Sequence, residues 1–101
     1  MAFVYLITEK PFEGESSNQY VKIGYSKNPP EWRMNANLKR GNPREIFIHS
    51  QFTFETMKGA RQAEKAGHTY FKKDVLGKEW FKVNPEIVKE WYLDQGFIEA
   101  V

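Results

Sequence analysis

Ala2 to Ile7 is an unbroken apolar run rich in aromatic and β-branched residues, the pattern of a central strand covered on both faces. Glu9 to Gln19, with Pro11, Gly14 and two serines, has no periodicity and many breakers. It reads as a hairpin loop. Tyr20 to Tyr25 returns as a short strand with Gly24 near its end, so the first two strands are expected to pair antiparallel. Asn28, Pro29, Pro30 and Glu31 supply a cap residue, first-turn prolines and a carboxylate at N3, which predicts a helix to about Arg40. Gly41, Asn42 and Pro43 end it, and Glu45 to Phe54 follows as a third strand whose alternation is imperfect. Thr56 to Lys73 is the longest helical stretch, with Asp74 to Lys78 as its turn into a short extended segment at Glu79 to Val83. Asn84, Pro85 and Glu86 repeat the cap-then-proline signal and open a last helix over about 85–95. On it, Ile87, Val88, Trp91 and Tyr92 share a face before Gly96. The predicted order is ββαβαβα.

Length and composition narrow this. At 101 residues, 41% hydrophobic and 16% aromatic, the chain fits one globular domain spanning 1–101, with its Phe, Tyr and Trp side chains supplying much of the core. It has no cysteine, which excludes a disulfide framework, a thiolate zinc site and a cysteine nucleophile. Two histidines cannot fill a structural zinc site, so a metal would be a hard one held by oxygens. No apolar run approaches the ~20 residues of a membrane span, and Met1 to Tyr5 lacks the charged start of a signal peptide, so no membrane partner and a cytoplasmic location are expected. The formal net charge is only +2, but residues 20–50 carry six basic groups against two acids and residues 51–83 seven against four, while both ends are acidic. A basic middle suits a polyanion, and ordinary surface scatter can also produce it.

Several residues can carry chemistry. Positions 57, 60, 64, 67 and 71 form one stripe of the long helix and read Met57, Ala60, Glu64, Gly67 and Phe71. A carboxylate thus falls within an apolar face, where small neighbours leave room for a metal ion, water or phosphate. The plainer alternative puts Glu64 on the rim beside Arg61 or His68. Arg33 and Asn37, spaced i, i+4, can offer a guanidinium fork and an amide to one anion, or make ordinary surface contacts. Tyr20, Lys22 and Gly24 share one side of the second strand, with Tyr5 beside them on the first. Strand tyrosines are commonly packing residues with one polar end. His49 and His68 can each serve as an acid or base, though an isolated histidine is more often structural. Trp80 and Phe81 read as core first and base-stacking groups second.

Taken in order, these fragments resemble the GIY-YIG nuclease superfamily, in particular its compact phage-type branch. Phe3-Val4-Tyr5 stands where that family has Gly-Ile-Tyr, and Lys22-Ile23-Gly24 where it has Tyr-Ile-Gly. Arg33 follows on a helix and Glu64 on a later one, and Gly77-Lys78-Glu79-Trp80-Phe81 is similar to a Gly-Glu-Trp-Phe segment of that branch. The motif-bearing part spans 3–83.

The resemblance implies an α+β fold, a small three-stranded antiparallel sheet flanked by helices, and a metal-dependent endonuclease that hydrolyses DNA phosphodiester bonds. It implies Tyr5 orienting or deprotonating the attacking water, Arg33 stabilising the scissile phosphate, and Glu64 holding Mg²⁺ or Mn²⁺. Lys22 replaces the second family tyrosine, so either an ammonium near the phosphate or neighbouring Tyr20 or Tyr25 substitutes for it. Gly24, Tyr25, Lys27, Asn37 and Arg40 are assigned to substrate binding on the same basis, and Tyr20, His49 and His68 to auxiliary roles. The family's late asparagine has no clear counterpart, since Asn84 reads as a helix cap.

DNA is the expected partner, in a host cytoplasm if the source is viral. A chain this small has little surface for long sequence readout, which leaves a homodimer or a structured substrate as sources of specificity. Two alternatives remain: a non-catalytic nucleic-acid-binding module on the same scaffold, and a protein-interaction module docking through the acidic last helix with Trp91 and Tyr92.

Overall fold

The computed structural model describes residues 1–9, 20–28, 46–77 and 79–100. The helix expected from about 28 to Arg40, the loop of residues 10–19 and the candidate residues Arg33, Asn37 and Arg40 lie outside them.

β1 (Ala2–Glu9) is the centre of the sheet, as its apolar run predicts, with β2 (Val21–Ser26) on one side and β3 (Ile46–Phe54) on the other, both antiparallel. Ala2, Val4 and Leu6 face one side, and Tyr5 and Ile7 face the other; all five are buried. The imperfect alternation of β3 has a physical cause. Ser50 faces Leu6 and Ile48 faces Ile7, so His49 is the extra residue of a β-bulge. Even-numbered residues therefore change face: Ile46 and Ile48 pack with Tyr5, whereas Phe52 and Phe54 pack with the larger core.

The larger core lies between the sheet and two α-helices. α1 (Met57–Tyr70) starts at Thr56, whose hydroxyl accepts from the Gly59 amide at 3.1 Å, and buries Ala60, Ala63 and Gly67. α2 (Pro85–Asp94) starts at Asn84, whose side-chain oxygen accepts from the Glu86 amide at 2.8 Å, with Pro85 in its first turn. Its buried stripe is Pro85, Val88 and Tyr92, while Ile87 is exposed. Gly96, at φ 88°, adopts the left-handed turn that ends the helix.

The expectation of a three-stranded sheet in the order ββαβαβα is corrected. The sheet has six strands in the order β4-β5-β2-β1-β3-β6, with two α-helices among the described residues. After α1 and a short 3₁₀ turn (Lys72–Asp74), β4 (Val75–Gly77) and β5 (Trp80–Phe81) extend the β2 side. β6 (Ile98–Glu99) follows α2 and extends the β3 side. Strands of two or three residues are too short to show an alternation. Backbone pairing with an existing edge recruits them, and that pairing leaves no side-chain pattern. No helix among the described residues is long and apolar enough to cross a membrane.

The two helices are locked together at Gly67. A β-carbon there would overlap the Tyr92 hydroxyl and stand 2.9 Å from Tyr92 Cζ, and the same hydroxyl donates to the Ala63 carbonyl at 2.9 Å. Gly67→Ala should therefore lower stability by roughly 1–3 kcal/mol in urea unfolding, because overpacking outweighs the gain of about 1 kcal/mol in helix propensity. Burial first, and then the negative charge of Glu64, push the Tyr92 phenol well above the usual tyrosine range. Native Tyr92 thus keeps its proton where the unfolded chain releases it. Its contribution is fully present below about pH 10 and declines as pH rises further. Unfolding midpoints measured across that range should fall more steeply for the wild type than for Tyr92→Phe.

Candidate functional site

The site is built around the outer edge of β2. β5 pairs with β2 only at Val21 and Lys22, and the Ile23 amide then donates to the Glu79 carbonyl at 3.1 Å. Beyond this point no strand among the described residues pairs with that edge of β2. The Ile23 carbonyl is taken instead by His68 of α1, whose Nε2 lies 2.9 Å away. A carbonyl only accepts, so Nε2 carries the proton.

The next residue, Gly24, faces Tyr5 across the β1–β2 pair. A β-carbon at Gly24 would overlap Tyr5 Cζ and Oη and stand 2.7 Å from Cε1, so the tyrosine ring lies directly across β2. Tyr5 is 1% exposed. Lys22 shares this face, opposite Ile7, and its Nζ stands 3.4 Å from Glu79 Oε2. A partly solvated pair of this kind is worth about 0–1 kcal/mol, so it leaves the ammonium available to a competing anion.

Glu64 comes to the same edge from the other side. α1 packs on the Leu6 and Ile23 face of the sheet, opposite the face that holds Tyr5. The Glu64 side chain is only 12% exposed, and its Oε1 stands 3.9 Å from His68 Nε2. It is therefore largely buried and beside His68, which joins the two arrangements the helical stripe allowed. A carboxylate withdrawn from water is a hard oxygen ligand for a cation. Among the described residues no group of three or more His, Asp or Glu gathers to share one. The donor set fits an ion such as Mg²⁺, which takes one or two carboxylates and keeps most of its waters.

The remaining candidates divide. Tyr25 turns away from Tyr5 and packs partly against the larger core, where it borders a small groove with Met57, Lys58 and Arg61. Lys27 is exposed just after β2. Tyr20 lines a separate groove of about 300 Å³ with Glu9, Leu76 and Trp80. His49 is on the far side of β1, with Nε2 3.1 Å from Glu86 Oε2 and Nδ1 2.6 Å from Ser50 Oγ. The structure does not bring it to the β2 edge. Glu79 was not singled out as a site residue, yet both its carbonyl and its carboxylate engage β2. Its sequence signal is its place in the Gly77-Lys78-Glu79-Trp80-Phe81 segment, which carries no hint that Lys22 lies opposite.

The family model of the T5orf172 domain matches residues 2–94. No curated protein and no solved structure matches the chain.

The contact of Tyr5 with Gly24 can be measured as a coupling. Gly24→Ala should destabilise the fold by about 1–3 kcal/mol through overpacking. Tyr5→Ala should cost less in the Gly24→Ala background than in the wild type, and the double-mutant cycle in denaturant should return a coupling of roughly 1 kcal/mol or more.

Proposed function

The chain belongs to the T5orf172 family, a phage-associated domain of the nuclease-like type, and from that premise we propose that it is a divalent-metal-dependent endonuclease that hydrolyses DNA phosphodiester bonds. The observation that carries the reading is the Ile23–Gly24 peptide, where a tyrosine laid across the glycine and a histidine–glutamate pair meet at the outer edge of β2. The finer assignment to the GIY-YIG superfamily is part of the same proposal.

Each residue has a task that follows from its chemistry. Tyr5 Oη is assigned to orienting the attacking water, whose proton passes to solvent. Lys22 exchanges its Glu79 partner for a phosphoryl oxygen and offsets charge as it develops. Arg33, outside the described residues, is assigned a guanidinium contact to the same phosphate. Glu64 holds Mg²⁺ or Mn²⁺, which supplies Lewis acidity toward the phosphate oxygens when bound. His68 holds the Ile23 carbonyl and lines the approach to Glu64. As water adds to phosphorus, the bond to the leaving ribose oxygen breaks, and that oxygen takes up a proton from solvent.

A second reading, DNA binding without cleavage, is favoured by one observation: Tyr5 and Glu64 stand on opposite faces of the sheet. Nicking of supercoiled plasmid separates the two. Under the nuclease reading, cleavage requires Mg²⁺ or Mn²⁺ and falls about 10²- to 10⁴-fold in Glu64→Gln and in Tyr5→Phe, with both variants folded by circular dichroism. Wild-type protein that binds plasmid but leaves it intact with either metal would transfer the assignment to the binding module.

A further inference from the structure

The solvent side of α1 has a composition that neither the core nor the β2 edge requires. Lys58, Arg61 and Lys65 are all exposed, and none of them stands in an ion pair among the described residues. Their positions fall within one 60° arc of the helix, since successive residues turn by 100°. Glu64, the one carboxylate of α1, lies about 90° round the helix from the centre of that arc, where it is only 12% exposed and stands beside His68. Seven residues separate Lys58 from Lys65, about 10 Å along the axis, which spans more than one phosphate of a nucleic-acid strand.

Lys65 also borders a shallow groove of about 480 Å³, floored by Tyr70 and Trp91 and edged by Gln62, Ala66 and Thr69. Tyr70 is 61% exposed and stacks on Trp91 with ring centroids 4.9 Å apart and planes 27° from parallel. Trp91 is held from behind by edge contacts with Phe71 and Tyr92, both buried. The pair is therefore a preorganised flat surface, and ordering it on binding costs little. A tyrosine braced in this way against Trp91 and Phe71, and still largely exposed, presents its outer π-face to an incoming base.

We propose that the outer face of α1 is a binding site for single-stranded nucleic acid, with phosphates along Lys58, Arg61 and Lys65 and one unpaired base stacked at Tyr70 and Trp91. Basic side chains and an aromatic floor occur together here, and together they specify a ligand with both phosphate and base. A base is available to this platform only when it is unpaired, so a single strand binds with the stack and a duplex without it. The proposal goes beyond the nuclease reading, because holding a strand here needs neither metal nor cleavage.

The test is fluorescence anisotropy of a short labelled single strand and of the same sequence as a duplex, in EDTA, across a salt series. Tyr70→Ala should weaken single-strand binding roughly 5- to 100-fold, the loss of one stack, while leaving duplex binding unchanged. Tyr70→Phe keeps the ring and should bind as the wild type does. Replacing Lys58, Arg61 and Lys65 with Gln should flatten the single-strand salt slope by about 2. Glu64→Gln should bind the strand normally, so loss of nicking in that variant bears on the nuclease reading alone. Single-strand affinity that is indifferent to Tyr70→Ala, or lost equally in Tyr70→Phe, would overturn the proposal. So would Tyr70-dependent binding of anionic phospholipid vesicles without binding of the strand. Thermal midpoints of the variants check that the exposed substitutions leave the fold intact.

Discussion

β1 has no polar face, and the rest of the molecule is arranged around that constraint. A strand apolar on both sides is stable only when both are covered. One side takes Ala60 and Ala63 of α1 and Val88 and Tyr92 of α2. The other gathers Tyr5, Ile7 and Ile46 into a smaller cluster. Because Tyr5 and Leu6 are adjacent in a strand, they must face opposite ways. The tyrosine is thereby separated from the helix that bears Glu64, and the outer edge of β2 is the place where groups from both faces converge.

Gly24 and Gly67 resolve two crowding problems by the same means. At Gly24 the missing side chain lets the Tyr5 ring cross β2, and at Gly67 it lets the Tyr92 hydroxyl approach α1 and reach Ala63. Both tyrosines are almost wholly buried. A glycine inside a helix costs about 1 kcal/mol of propensity, and the close packing of a buried aromatic ring recovers it. Glu64 lies near the second of these contacts, since its charge contributes to the raised pKa of Tyr92. The outer edge of β2 and the joint between the helices are thus neighbours, linked by Glu64.

Much of the architecture was legible where a physical signal repeats over several residues. The double-sided run of β1, the antiparallel β1–β2 pair, the Thr56 and Asn84 helix starts and the Gly96 stop all correspond to features of the structure. The bulge at His49 appeared in the sequence only as faulty alternation, because a single inserted residue reverses the phase without leaving a motif. β5 lies within the extended segment expected at Glu79 to Val83, but its pairing with β2, and β4 and β6 altogether, were illegible because backbone hydrogen bonds to a distant strand define them. The candidate site was readable in part: Tyr5, Lys22 and Gly24 share a face, as their spacing requires, whereas the separation of His49 from them depends on strand order.

The sequence by itself determined which residues are available and how they are phased along each element. It set a tyrosine two residues from the end of an apolar run, a glycine after Lys22-Ile23, a carboxylate on the inner stripe of a helix and three cations on its outer one. Periodicity is local, so these are facts about single elements. Only the tertiary structure decided that Gly24 lies beneath Tyr5, that His68 closes the Ile23 carbonyl, that Glu79 meets Lys22, and that Tyr70 rests on Trp91. Each of these joins residues distant in the chain or from different elements, and such contacts depend on sheet order and helix docking, which no local pattern encodes.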